Sequence, residues 1–326
     1  MLSPPDVFIT RAIPEAAIRL LTSALPGLNV AVNPRDANLT PAEIASMAAG
    51  AQGLICTLAD DISRALIDSL PRLRVIATYA VGTNNIDLAA ARERGIVVAN
   101  TPEVLTDATA EVAVGLMLAC ARRFIEGDVL TRQGGFRGWA PLFHLGQGVY
   151  GKTVGIVGAG RIGLRVARTM RHGFDCRVLY ASRSEHPEFE AQAQAERVEL
   201  DSLLEQSDFV SLHCPLTPQT RHLIDERRLA RMKKEAFLIN TARGPVVDEA
   251  ALVKALKAGR IAGAGLDVFE HEPALAPGLA ELGNVTLLPH IGSATVETRQ
   301  RMGLMCAQAV IEVLCGREPA NRVVPG

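Results

Sequence analysis

The segment Gly158-Ala159-Gly160-Arg161-Ile162-Gly163 follows the apolar run VGIV and opens the helical pattern RIGLRVARTM. Strand, glycine-rich turn and helix in that order suit a dinucleotide. The first glycine permits the tight turn, the second lets a pyrophosphate approach, and the third allows close helix packing. Amides at the helix start then face the phosphates, so these six residues are assigned to cofactor binding. Further on, VLYASRS ends in Ser182, Arg183 and Ser184. An acidic residue there would accept from the ribose hydroxyls and repel a 2′-phosphate. At an effective dielectric near 20, unit charges ~4 Å apart interact by roughly 4 kcal/mol. Ser182 removes that repulsion, Arg183 can pair with a phosphate dianion, and Ser184 can donate a further hydrogen bond. The expectation is a preference for NADP(H) over NAD(H). The alternative is a solvated Arg183 and an indifferent site.

Three later stretches each carry reactive side chains just past an apolar run. INTARGPVVDEAAL holds Arg243, LDVFEHEP holds Asp267 and Glu272, and LLPHIGSAT holds His290. Open α/β sheets bind ligands beyond the carboxyl ends of their strands. A guanidinium, a carboxylate and an imidazole delivered to one such edge form a candidate active site.

These residues need a scaffold, and the chain supplies one. Of its 326 residues 48% are apolar and only 4% aromatic, which suits Val-, Ile- and Ala-rich strands under helices. Short apolar runs alternate with helical patterns throughout, the mark of βα units. Strands are expected at 6–10, 29–32, 53–56, 73–78 and 96–100, making one small α/β domain. TPEVLTDATAEVAVGLMLACARRFIEG (101–127) is expected to be one long helix capped at Thr106 or Asp107, followed by a glycine-rich loop with the only tryptophan, Trp139. A second series of six strands follows, at 153–157, 176–181, 208–212, 236–240, 262–266 and 285–288. The helix at 293–316 has no strand partner there and is expected to return to the first domain. The predicted fold class is α/β, with a Rossmann-type cofactor domain (102–289) and a smaller flavodoxin-like substrate-binding domain (1–101 and 290–326).

The net charge of −1, with both signs interspersed, shows no basic stripe for nucleic acid or an anionic membrane surface. MLSPPDVFITRA lacks a basic start before an apolar run and is not expected to be a signal peptide. No apolar run is long enough for a membrane span. The six cysteines form no CxxC pair and read as free thiols of a reducing cytoplasm. No clustered ligand spacing suggests a metal.

YAVGTNNID (79–87), NTPEVLTDATAE (100–111), GKTVGIVGAGRIG, HCPLTPQTRHLI, INTARGPVVDE, GLDVFEHEP and PHIGSAT occur in the order seen in the D-isomer-specific 2-hydroxyacid dehydrogenases. The chain resembles their glyoxylate/hydroxypyruvate reductase branch over nearly its whole length. The resemblance implies reduction of a small 2-keto acid to the D-2-hydroxy acid in a homodimer, with the active site between the domains and hinges near Thr101 and Pro289. It also implies that Arg243 binds the substrate carboxylate and carbonyl oxygen, that His290 is the general acid, and that Glu272 orients His290 and favours its charged form. Reduction should then fall as pH rises and the imidazole loses its proton. By the same resemblance Leu58 and the amides of Val81 and Gly82 contact substrate. Asp267 holds the nicotinamide carboxamide, and Thr106, Cys214, Pro215, Thr220, Thr241 and Gly292 line the cofactor. In a GWxPL stretch of that branch a tryptophan reaches the partner subunit's site, which Trp139 would do here; simple dimer packing is the alternative. The chain departs from the family in reading TNN where YDN is frequent, and in lacking the acidic ribose residue. A sugar-derived keto acid such as 2-ketogluconate is a second possible substrate. A cofactor-sensing, corepressor-like interaction protein is a third reading, which rapid NADPH oxidation with glyoxylate would exclude.

Two dyads in the sequence invite chemistry. His213 stands beside Cys214, but neighbouring strand residues point to opposite faces, so a structural or cofactor-lining role is expected. Asp248 and Glu249 follow a turn and are expected to start a helix, where acidic residues are favoured.

Overall fold

A computed structural model describes residues 4–35 and 37–324; the first three residues of MLSPPDVFITRA fall outside them. The chain forms two compact units, one of residues Met1–Leu105 with Ser293–Gly326, the other of residues Thr106–Gly292.

The first unit alternates β1 (Val7–Ile9), α1 (Glu15–Ala24), β2 (Val30–Val32), α2 (Pro41–Met47), β3 (Gly53–Cys56), α3 (Arg64–Ser69), β4 (Val75–Thr78), α4 (Leu88–Glu93) and β5 (Val97–Ala99). Its sheet is parallel in the order β2-β1-β3-β4-β5, the flavodoxin-like arrangement. Successive strand residues feed opposite layers. Phe8, Leu54, Cys56, Ile76 and Val98 join one core, and Val7, Ile9, Ile55, Val75 and Ala77 join the other.

The second unit contains α5 (Thr106–Arg122), α6 (Phe124–Arg132), β6 (Thr153–Val157), α7 (Arg161–Phe174), β7 (Arg177–Ala181), α8 (Pro187–Ala193), β8 (Ala195–Arg197), α9 (Leu200–Gln206), β9 (Phe209–Leu212), α10 (Glu226–Leu229), β10 (Phe237–Asn240), α11 (Glu249–Lys257), β11 (Gly263–Leu266) and β12 (Val285–Leu287). Its strands are all parallel, in the order β12-β11-β10-β9-β6-β7-β8. Strand order reverses at β6, which puts the switch-point crevice at the glycine turn that follows it. The last helix, α12 (Val296–Leu314), lies on α1 and β4 of the first unit and fills its second core with Met302, Cys306 and Val310.

The structure corrects three expectations. The sheet has a seventh strand, β8, absent from the sequence reading because Ala195-Glu196-Arg197 is a half-solvated edge with no apolar run. The long helix does not run from 101 to 127. It begins at Thr106 and breaks at Arg123, which takes a left-handed φ of 54° between α5 and α6. That break is held both from within α6 and from the loop after it. Arg123 pairs with Glu126 at 2.6 Å, and its carbonyl lies 3.0 Å from His144 Nε2 in the following loop. Finally, the chain leaves the second unit after Gly292 rather than after residue 289, so His290 belongs to the unit that carries the glycine turn.

Candidate active site

Gly158 has φ 103°, a left-handed conformation that disfavours a side chain, and a Cβ there would sit 2.7 Å from the Cys214 amide nitrogen. A Cβ at Gly163 would overlap the Gly158 carbonyl oxygen, so this glycine lets α7 seat on the turn. At Gly160 a Cβ meets nothing within 4 Å. The space above the middle glycine is open, and α7 starts there with the Leu164 N–H donating to the Gly160 carbonyl at 2.9 Å. Gly163, Val166, Ala167 and Met170 are buried, so one face of α7 packs inward and fixes the direction of its N-terminus.

Beyond β7 the Ser182 hydroxyl donates to the Ser184 carbonyl, and Arg197 of β8 donates to the Ser182 carbonyl at 3.3 Å. Arg183 is exposed in this turn. After β9, Thr220 Oγ1 donates to Pro215 O at 2.7 Å and accepts from Thr217 N, tying that loop to itself. Thr241, at the end of β10, has a buried hydroxyl without a hydrogen-bond partner. The open glycine cradle and this orphaned hydroxyl suit a bound dinucleotide.

Arg243 follows β10 in a short turn anchored by the Asn240 side chain, whose amide donates to the Arg243 carbonyl at 3.0 Å. Its guanidinium donates to the Ala242 carbonyl at 2.7 Å. Burial lowers its pKa and Glu272 raises it again, but a guanidinium stays charged at any physiological pH. Glu272 follows β11. One carboxylate oxygen accepts the Phe269 N–H at 3.0 Å, and the other lies 2.8 Å from His290 Nδ1. Burial works to raise the Glu272 carboxyl, yet the hydrogen bond and charge of His290, the Phe269 amide and Arg243 hold it below the usual glutamate range. A carboxylate can only accept, so Nδ1 carries the proton and Nε2 is the nitrogen left for a reacting group. His290 and Glu272 keep side-chain exposures of 26% and 29%, enough to meet a ligand.

His290 itself has a left-handed φ of 55°. Asp267 supports that backbone. Its two oxygens accept the N–H groups of Ile291 at 2.7 Å and Gly292 at 2.8 Å, while Thr109 donates to the Gly292 carbonyl at 3.0 Å. Asp267, expected from the sequence at the cofactor, thus also braces the His290 backbone, a role that leaves no periodic signal. His213 and Cys214 form no reactive dyad. Burial pushes His213 down to about 3 and the Cys214 thiol up to about 11, and the His213 ring contacts Ser211 Oγ at 2.9 Å. Leu58, Val81 and Gly82 lie on the first unit, with Leu58 and Val81 each 38% exposed. Among the described residues, no group of three or more His, Cys, Asp or Glu is placed to hold a metal, and no helix is long and apolar enough to cross a membrane.

Residues 114–292 match the model of the D-isomer specific 2-hydroxyacid dehydrogenase, NAD binding domain. The chain is 49% identical to a glyoxylate reductase of Thermococcus kodakarensis over 98% of its own length and 96% of that protein's. The chain belongs to the D-isomer specific 2-hydroxyacid dehydrogenase family. Within it the dehydrogenase falls in the glyoxylate reductase branch. Two solved structures resemble this dehydrogenase. One is a glyoxylate reductase from Paecilomyes thermophila, with a TM-score of 0.85, 33% identity and 99% of each chain covered. The other is an NADPH-dependent glyoxylate/hydroxypyruvate reductase from Sinorhizobium meliloti, in complex with NADP and malonate, with a TM-score of 0.82, 33% identity and 99% and 97% coverage. This 2-hydroxyacid dehydrogenase is therefore a nicotinamide-dependent oxidoreductase acting on keto acids.

Proposed function

We propose that the enzyme reduces glyoxylate and hydroxypyruvate to the corresponding 2-hydroxy acids, of D configuration where the product is chiral, with NADPH preferred to NADH. The observation that carries this reading is the 2.8 Å contact of His290 with Glu272, beside a guanidinium whose charge the same carboxylate feels. The Gly158–Gly163 turn would hold the pyrophosphate of a reduced nicotinamide dinucleotide, which would supply the hydride. Arg243 grips the substrate carboxylate and polarises the carbonyl oxygen. His290, charged and held through Nδ1, gives the Nε2 proton to that oxygen as it becomes a hydroxyl. Glu272 keeps the ring oriented and stabilises its charge throughout. On the first unit, Leu58 and the amides of Val81 and Gly82 contact the substrate. Asp267, both of whose oxygens already accept backbone N–H groups, also takes a hydrogen bond from the nicotinamide carboxamide. Thr106, Cys214, Pro215, Thr220, Thr241 and Gly292 complete the cofactor lining.

NADPH preference is supported by the absence of a carboxylate at 182 and by exposed Arg183 beside it. Homodimerisation is supported by the apolar surface of α6 and the loop after it, where Phe124, Phe136, Trp139, Leu142 and Leu145 are all exposed and Trp139 is 84% so. In the dimer Trp139 reaches the partner subunit's substrate site. A cytoplasmic location fits the free cysteines. The test is a panel of 2-keto acids with NADPH and NADH. The highest kcat/KM is expected for glyoxylate or hydroxypyruvate with NADPH, and a clear preference for a sugar-derived keto acid or for NADH would contradict the reading.

A further inference from the structure

Glu272 sits in a loop, and something must hold that loop to its partner. Glu249, the first residue of α11, is only 3% exposed, and the chemistry above makes no use of its carboxylate. Its Oε1 accepts the Glu270 N–H at 2.7 Å, and the Ala276 amide acts on the same carboxyl, favouring its charged form. One buried side chain thus grips the backbone two residues before Glu272. The grip is returned. Glu270 Oε2 lies 3.5 Å from the Glu249 amide nitrogen, and Glu270 Oε1 lies 2.6 Å from His222 Nε2. The turn carrying Arg243 presses on the same loop, because a Cβ at Gly244 would overlap the Phe269 carbonyl. Burial and the neighbouring Glu270 raise the Glu249 carboxyl, against the pull of the two amides and His271. An acid kept buried at that desolvation cost needs a compensating role.

We propose that Glu249 is a positioning residue, holding the 270–276 segment so that the Glu272 carboxylate meets His290. The inference rests on the roles of His290 and Glu272 given above. Among the described residues, the Glu272 carboxylate has no hydrogen-bond partner outside its own loop except His290. Its one backbone donor, Phe269, belongs to that loop. Without the Glu249 carboxylate the loop keeps only the long 3.5 Å contact of Glu270 with the start of α11, and a shift of about 1 Å can cost on the order of a hundredfold in rate.

The test uses the full-length enzyme with Glu249→Gln, which keeps the side-chain shape but turns one acceptor into a donor facing an N–H. A kcat loss of about tenfold or more is expected, with the KM for NADPH and the Tm little changed. The decisive arm is the same substitution in a Glu272→Gln background, where Glu249→Gln should cost nothing further because its effect runs through Glu272. Wild-type kcat in Glu249→Gln would overturn the proposal. So would a loss that multiplies in full with that of Glu272→Gln. Should Glu249→Gln not fold, Glu249→Asp keeps the charge on a shorter stem and is read by the same cycle. If instead Glu272→Gln alone turns over like wild type, the reading of the active site fails as well, which separates the two failures.

Discussion

His290 and Glu272 meet at 2.8 Å, although one follows β12 and the other follows β11. Adjacent parallel strands deliver them to the same sheet end, and the side chains then settle each other's state. Glu272 fixes the tautomer of the ring, and the ring keeps Glu272 ionised. Glu272→Gln should therefore lower kcat by about a hundredfold or more while leaving NADPH affinity nearly unchanged. Steady-state rates and NADPH titrations of the two proteins check both statements, and a wild-type kcat in the variant would refute them.

The same pair has a stability signature at acid pH. Glu272 is depressed below its ordinary 4.5. A depressed carboxyl contributes stability that is present above its unfolded value and is lost as pH falls through the folded one. The Tm advantage of wild type over Glu272→Gln should thus hold from neutrality down to about pH 4.5 and shrink below it. Thermal melts across this range measure it. A gap that persists undiminished into strong acid would contradict the assignment.

Cofactor choice is expected to reside in the turn after β7. Ser182→Asp should reverse the preference toward NADH by placing a charge against the 2′-phosphate. Arg183→Ala should lower kcat/KM for NADPH by roughly tenfold or more, the worth of one charge-assisted hydrogen bond, with NADH little affected. Equal losses with both cofactors would show that Arg183 does not discriminate.

Much of this site can be read in the sequence because its parts are local. The turn 158–163 needs glycine at 158 for a left-handed φ and at 163 for contact, and both requirements leave a spacing. Continuous apolar runs left visible strands wherever both faces are covered. What escaped lacks such a pattern. β8 is a polar edge, and the break at Arg123 is set by His144 in a distant loop. Asp267 and Glu249 work by collecting backbone N–H groups across long chain separations, which no local spacing encodes.

Gly244 makes a separate prediction about how Arg243 is placed. A methyl there would collide with the Phe269 carbonyl, so Gly244→Ala must push the Arg243 turn away from the Glu272 loop. The expected result is a fall in Tm together with a kcat loss of about a hundredfold, since small displacements of reacting groups are costly. Unchanged kinetics would mean that the two loops move independently.

The proposed reach of Trp139 into a partner subunit makes its own prediction. Trp139→Ala should change the ratio of kcat/KM between glyoxylate and hydroxypyruvate without lowering the Tm, because the side chain is 84% exposed in the single chain. Sedimentation of the same variant tells substrate contact from dimer packing. An unaltered ratio with a weakened dimer would assign Trp139 to packing alone.

The central claim, that His290 is the proton donor, is tested most directly by His290→Gln in single-turnover reduction of glyoxylate alongside NADPH titration. Turnover should fall by about a thousandfold or more, while NADPH binds within about twofold of wild type. A variant that binds NADPH normally and still turns over within about tenfold of wild type would contradict the account.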